Sequence, residues 1–335
     1  MSGMLTLQGL AVGYPGRRGR RARRVLEGVN AQARAGDLTV LIGPNGAGKS
    51  TLLRTLSGLQ PPLAGEVLLD GTSLLAIGPA ELARRVAVVL TERDVPALLT
   101  GRELVALGRH PHTGFTGRLT AADHAVVDWA LAAVDAVHLA DRPVTELSDG
   151  ERQRILTARA LAQEPSVILL DEPTAFLDAP SRVALMGLLR RLARERSLVV
   201  VISTHDLELA LRIADRVWLL TRDGELHRGT PEELTLNGAI SASFDSAELT
   251  FEAASGVFVL HGADCGTARI TAEGVHRPLL ERALSRAGWR PSADGPADLT
   301  VTWTGEVYQV TRDGVSHRFD TLAGLTDWAR REASR

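Results

Sequence analysis

Apolar and polar residues alternate through residues 4–12 and again through 25–33, which predicts two half-buried strands joined by an arginine-rich loop. The next apolar run, Leu38-Thr39-Val40-Leu41-Ile42, is short and uninterrupted, the pattern of a strand buried on both faces. It leads straight into a glycine-rich segment. A helix is predicted to open there at about Lys49 and to carry Leu52, Leu53 and Leu56 as far as Gly58. Residues 86–90 are apolar, and 100–140 read as helical with a glycine-containing break around 111–117. Residues 155–161 continue a helix that ends before Pro165. Two more buried strands, 167–170 and 198–202, end on Asp171-Glu172 and on Ser203-Thr204-His205, with a helix over 181–196 between them. Short apolar strands alternating with helices predict an α/β fold, a parallel sheet covered on both faces. In such sheets ligands bind at the carboxyl ends of the strands.

The pattern changes near residue 240. Beyond it come short strands at 248–253, 257–260 and 268–271, a helix at 278–287, strands at 299–304 and 306–311, and a helix at 322–331. This predicts residues 1–239 as one domain and 240–335 as a small α+β accessory domain. The second part holds no metal-ligand spacing and no nucleophile constellation.

Composition narrows the class without naming a function. A chain of 335 residues with 44% hydrophobic and 23% charged residues is large enough for two soluble domains. Its net charge of −2 offers no global attraction to nucleic acid or an anionic membrane. Arginines do cluster at 17, 18, 20, 21, 23 and 24, but no aromatic residue is interleaved to stack a base, so we read a solvated hairpin loop and no nucleic-acid partner. The single cysteine, Cys265, cannot close an internal disulfide, which fits a reducing cytosol. No stretch reaches the roughly 18 uninterrupted apolar residues that a membrane helix needs. The first residues run directly into a strand pattern, which predicts no secretory leader.

Lys49 is the only lysine, every other member of the 38 basic side chains being arginine. It sits in Gly43-Pro44-Asn45-Gly46-Ala47-Gly48-Lys49-Ser50-Thr51, which meets the phosphate-loop pattern at each defined position. A compact ammonium on a thin stem reaches between two phosphates where a planar guanidinium does not fit. Backbone N–H groups of the loop and the positive end of the following helix complete an anion cradle. Two carboxylates at the end of a buried strand suit the same chemistry. Asp171 is the candidate for the outer shell of a Mg2+ ion held by the Ser50 hydroxyl, and Glu172 for polarising a water that attacks the γ-phosphate.

The segment Leu147-Ser148-Asp149-Gly150-Glu151-Arg152-Gln153-Arg154 resembles the signature motif of ABC-type ATPases. Phe176-Leu177-Asp178 resembles their D-loop, His205 stands at the switch-histidine position, and Tyr14 is placed like the aromatic that stacks on adenine. The resemblance covers residues 1–235. It implies a P-loop NTPase of ABC type that binds ATP and Mg2+ between two copies of itself. Lys49, Glu172 and His205 would be the catalytic residues. Ser148, Gly150, Glu151 and Asp178 would meet the nucleotide or its neighbouring site across the dimer.

Two departures from the family pattern stand out. The signature has Asp149 where glycine is usual, expected to turn away from phosphate, and Glu151 where glutamine is usual. The Q-loop position is Glu92, whose carboxylate we expect to bind the nucleotide's magnesium. Residues 101–114, which include His110 and His112, resemble ATPases of the iron-complex import group, which serve siderophore, haem and cobalamin uptake. We read the two histidines as surface or partner-contact groups and not as iron ligands. The resemblance then implies the ATP-hydrolysing, energy-coupling subunit of an importer, peripheral on the cytoplasmic face of the membrane. It would be bound to a transmembrane permease and serve a substrate-binding protein indirectly. The alternative reading is a soluble ABC-type ATPase that switches assembly or regulation without a permease.

Overall fold

The computed structural model describes residues 3–16, 22–90, 98–114, 117–246, 249–260, 265–292 and 296–333. The arginine-rich residues 17–21 and the Q-loop residue Glu92 lie outside them. The chain divides into two compact units, Met1–Ser243 and Phe244–Arg335.

In the first unit, β1 (Met4–Tyr14) pairs antiparallel with β2 (Arg23–Arg34), as the alternating pattern requires. Strand β3 (Leu38–Ile42) follows, then β4 (Ala64–Leu69) and β5 (Thr72–Ser73), which extend the first sheet in the order β2-β1-β4-β5. The remaining strands are β6 (Val86–Val89), β7 (Val167–Asp171), β8 (Val199–Ser203), β9 (Arg216–Leu220) and β10 (Leu226–Gly229). They join β3 in a six-stranded sheet of order β10-β9-β3-β8-β7-β6, parallel except for β10. Strands β4, β5, β9 and β10 were not anticipated from the sequence. Strands β5 and β10 are short, and in β4 the first three residues are exposed, so no run of alternation marks it, while β9 holds the buried apolar run Val217–Leu220 that the reading passed over.

The helix Lys49–Leu56 lies between the sheets. Its Leu52, Leu53 and Leu56 share one core with Leu5, Leu7 and Val12 of β1 and with Leu41, Leu169 and Val201 of the parallel sheet. Helix Ala179–Arg196 packs against β3 and β8, whose intervening residues Val40, Val200 and Ile202 are also fully buried. Cover on both faces is the reason these strands are apolar at every position.

A helical layer follows β6, in which Gly101–Ala106, Ala121–Ala133 and Asp149–Ala162 pack on one another. A short 3-10 segment, Leu107–His112, runs between the first two and carries Arg109, whose Nε donates to Asp123 Oδ1 at 2.8 Å. Both side chains are buried. Asp123 also closes a capping box with Thr120 at the start of its helix. His112 is tied to the Gln163 carbonyl through Nε2 at 2.9 Å.

The second unit is an α+β fold with its own core. A hairpin of β11 (Leu249–Glu252) and β12 (Val257–Leu260) precedes a five-stranded sheet. That sheet is built from β13 (Thr267–Thr271), β14 (Arg290–Ser292), β15 (Leu299–Trp303), β16 (Tyr308–Arg312) and β17 (Val315–Phe319), in the order β14-β13-β15-β16-β17. Helices His276–Arg286 and Leu322–Ala333 supply Leu280, Leu284, Leu325 and Trp328 to the core. The first of them begins ahead of the expected 278, because Pro278 falls in the first turn, where no backbone N–H has an intrahelical partner to lose. Strand β17 escaped the sequence reading because Val315 to Arg318 are all exposed and show no buried face.

Candidate active site

Parallel order brings the carboxyl ends of β3, β8 and β7 side by side, and most of the predicted residues leave the sheet there. The loop after β3 is shaped by its glycines. Gly43 has φ +150°, and a Cβ on it would stand 2.4 Å from the Leu220 carbonyl oxygen. Gly48 has φ +101°, and a Cβ would stand 2.4 Å from Val25 Cγ1. No other residue type fits either place.

Lys49 opens the helix and curls back over this loop, its Nζ donating to the Gly43 carbonyl at 2.8 Å and to that of Pro44 at 3.4 Å. The side chain is buried, and burial pushes the ammonium below its ordinary pKa, opposed by the nearby Glu172 and Asp171 carboxylates. Ser50 is exposed at the loop's end. The Tyr14 hydroxyl lies 3.3 Å from Thr51 Oγ1, which sets its half-exposed ring at the mouth of the loop.

Asp171 ends β7, in register with Ser203 at the end of β8. The Ser203 hydroxyl donates to Asp171 Oδ1 at 2.6 Å. Glu172 follows with φ +49°, a left-handed conformation unusual for a residue with a Cβ. Its N–H donates to Ser203 Oγ at 2.9 Å. Its carboxylate Oε2 lies 2.7 Å from His205 Nδ1. An ionised carboxylate only accepts, so Nδ1 carries the proton and Nε2 is the ring's other site for a ligand. His205 is 55% exposed while Glu172 is 19% exposed. A half-shielded carboxylate beside an open imidazole can hold and deprotonate a water.

Ser148 caps the helix Asp149–Ala162, with the Glu151 N–H donating to its Oγ at 3.3 Å and its own N–H donating to Glu151 Oε2 at 2.8 Å. Arg142 Nη1 donates to Glu151 Oε1 at 2.9 Å, so the Glu151 carboxylate is engaged within its own chain. Hydrogen bonds from Ser148 and the charge of Arg142 hold that carboxyl below its ordinary pKa. Asp149, expected to turn from an anion, pairs with Arg152 at 3.3 Å. Asp178 caps the helix Ala179–Arg196 by accepting from the Ser181 N–H at 3.0 Å. A Cβ on Gly150 would stand 3.7 Å from Ser181 Oγ, so the two capped helix starts are neighbours.

The residues fall into two groups. Lys49, Asp171, Glu172 and His205 gather at the sheet edge. No hydrogen bond or ion pair among the described residues joins them to Ser148, Gly150 or Glu151. Sequence reasoning passed over Ser203 and Arg142. Ser203 had a signal, as a polar residue closing an otherwise apolar buried run. Arg142 had none, because its use depends on where Glu151 falls in space.

The ABC transporter family profile matches residues 26–175, and that of the iron ABC transporter C-terminal domain matches residues 265–330. An uncharacterized ABC transporter ATP-binding protein of Methanocaldococcus jannaschii is 44% identical over 257 residues, 77% of this chain and 87% of the relative. A cobalamin import ATP-binding protein of Halobacterium salinarum is 45% identical over 224 residues, 67% of this chain and 56% of the relative. The dimeric structure of a bacterial ABC transporter cassette superposes with a TM-score of 0.59 at 29% identity, over 68% of this chain and 98% of that one. The chain belongs to the ABC transporter ATP-binding protein family and is an ABC-type ATPase with a small C-terminal domain.

Proposed function

We propose that the protein is the energy-coupling subunit of an importer for iron complexes or cobalamin, with the accessory domain beginning at about residue 240. Two copies enclose ATP, the phosphate loop of one facing Ser148 and Gly150 of the other. The observation that carries the hydrolytic reading is the 2.7 Å contact between Glu172 and His205 beside the buried Lys49.

In this reading the loop Gly43–Thr51 cradles the phosphates, Lys49 neutralises them, and Tyr14 stacks on the base. Glu172 takes the proton of the attacking water, and His205 orients that carboxylate through Nδ1–H and, as the imidazolium, donates from Nε2 towards the γ-phosphate. Ser148 and the Gly150 N–H donate from the opposite copy, and Asp178 joins the two sites. The Ser50 hydroxyl and the Asp171 carboxylate form an all-oxygen donor set of the hard kind that Mg2+ takes, and we assign the ion to them with Glu92 as a further donor. When bound, Mg2+ supplies positive charge that offsets the phosphate oxygens.

In this reading a separate permease supplies the transport path, and no helix among the described residues is long and apolar enough to cross a membrane. The import assignment draws on the iron-transporter profile over residues 265–330 and on the cobalamin-import relative.

The test is the solution mass of full-length Glu172→Gln with and without Mg-ATP, combined with uptake of labelled ferric siderophore, haem and cobalamin by cells lacking the gene. ATP-driven dimerisation together with loss of one of these uptakes is the expected result. Dimerisation with every uptake intact would favour the permease-free switch. No ATP-dependent dimer and no uptake defect would remove both readings.

A further inference from the structure

We infer that Ser203 is a positioning residue that sets both acids of the site, fixing the orientation of Asp171 and the aim of Glu172. The inference rests on the ATPase site proposed above and adds a residue to it.

Strand β8 is Val-Val-Val-Ile-Ser, buried at all five positions, with serine at the last. Ser203 has no solvent access. A hydroxyl in that position must find its partners inside the protein. It finds two, and they belong to the consecutive acids at the end of the neighbouring strand. Ser203 Oγ donates to Asp171 Oδ1 at 2.6 Å, the short distance of a bond to a charged acceptor. The same oxygen accepts the Glu172 N–H at 2.9 Å, and the Ser203 carbonyl shares that N–H at 3.2 Å.

The second contact bears on the backbone. Glu172 sits at φ +49°, and a side chain is kept in that region only where its surroundings hold it. The chain turns there so that the Glu172 carboxylate reaches His205, two residues beyond Ser203 on the same strand exit. One buried hydroxyl therefore ties Asp171 to the turn that carries Glu172. Valine or alanine would suit the strand pattern equally well and would leave Asp171 without this donor.

The test uses the full-length chain carrying Ser203→Ala and, separately, Ser203→Cys, which keeps nearly the same volume but is a weak donor. Binding of a fluorescent ATP analogue is measured first in EDTA and then as Mg2+ is titrated, alongside phosphate release. We expect metal-free affinity to stay within about twofold of wild type, since the phosphate loop is untouched. The Mg2+ concentration for half-saturation should rise about tenfold, and turnover at saturating ATP should fall by about ten- to a hundredfold, the range for a lost hydrogen bond to a charged group. The cysteine variant should follow alanine, and it decides the matter if the alanine variant does not fold. Unchanged Mg2+ dependence and turnover in a folded variant would overturn the inference. So would a parallel loss of metal-free binding, melting temperature and turnover, which would mark Ser203 as ordinary packing. If wild-type protein binds no nucleotide, the underlying site reading fails, and this one fails with it.

Discussion

His205 Nδ1 stands 2.7 Å from Glu172 Oε2, although the two residues leave different strands and are 33 positions apart. The contact exists because β7 and β8 are adjacent and in register at Asp171 and Ser203. Glu172→Gln keeps the shape but cannot take a proton. Phosphate release should fall by at least about a hundredfold while the nucleotide analogue still binds. Turnover near wild type would remove Glu172 from its role.

Lys49 is a buried cation whose hydrogen-bond partners are the Gly43 and Pro44 carbonyls. Replacing it with methionine removes a desolvated charge and keeps the stem. The nucleotide-free protein should then be as stable as wild type or more so, while ATP affinity falls by at least about a hundredfold. The pH dependence has a definite sign. The folded pKa lies below 10.5, so between the two values the unfolded chain binds more protons and stability rises with pH. Lys49→Met should abolish that rise in denaturant titrations at alkaline pH.

Arg109 and Asp123 form a buried pair that ties the 3-10 segment to the helix Ala121–Ala133, and Arg109 also reaches the Ala162 carbonyl at 2.8 Å and Glu164 Oε2 at 2.6 Å. Arg109→Met leaves a carboxylate facing an apolar stem. The melting temperature should drop by several degrees, and Arg109→Met with Asp123→Leu should recover part of the loss. Strict additivity of the two single changes would contradict a coupled pair.

Glu151 is held below its ordinary pKa of 4.5 by Ser148 and Arg142. A depressed carboxyl stabilises the fold fully above 4.5, and the contribution disappears as pH falls through the lowered value. Glutamine still caps the helix but does not titrate. Glu151→Gln should flatten the acid limb of the stability curve below pH 4.5 and leave its neutral region nearly unchanged. An identical acid limb in the two proteins would argue against this role.

Leu284 is fully buried in the core of the C-terminal unit with Leu280, Trp289 and Leu325. Leu284→Ala should destabilise that unit by about 2–5 kcal/mol. In the full-length chain this should appear as an earlier C-terminal transition in hydrogen exchange, with nucleotide binding retained. Equal loss of protection in both units would show that they unfold together.

Local chemistry carried much of this protein's identity. The glycines of the loop, the lone lysine and the acids ending an apolar run are short-range patterns, because a phosphate cradle needs consecutive residues. The buried strands were legible for the same reason, since cover on both faces demands unbroken apolar runs. The edge strands β10 and β17 were not, having little or no apolar pattern of their own, whereas β9 carries the buried apolar run Val217–Leu220 and was passed over despite it. Strand order was also beyond the sequence. Only the folded sheet sets β8 between β3 and β7, and so places His205 against Glu172 and Ser203 beneath both acids. The same holds for Glu151, whose pairing with Arg142 follows from helix packing. Motifs are written in neighbouring residues, but orientation is decided by partners that the chain brings in from far along its length.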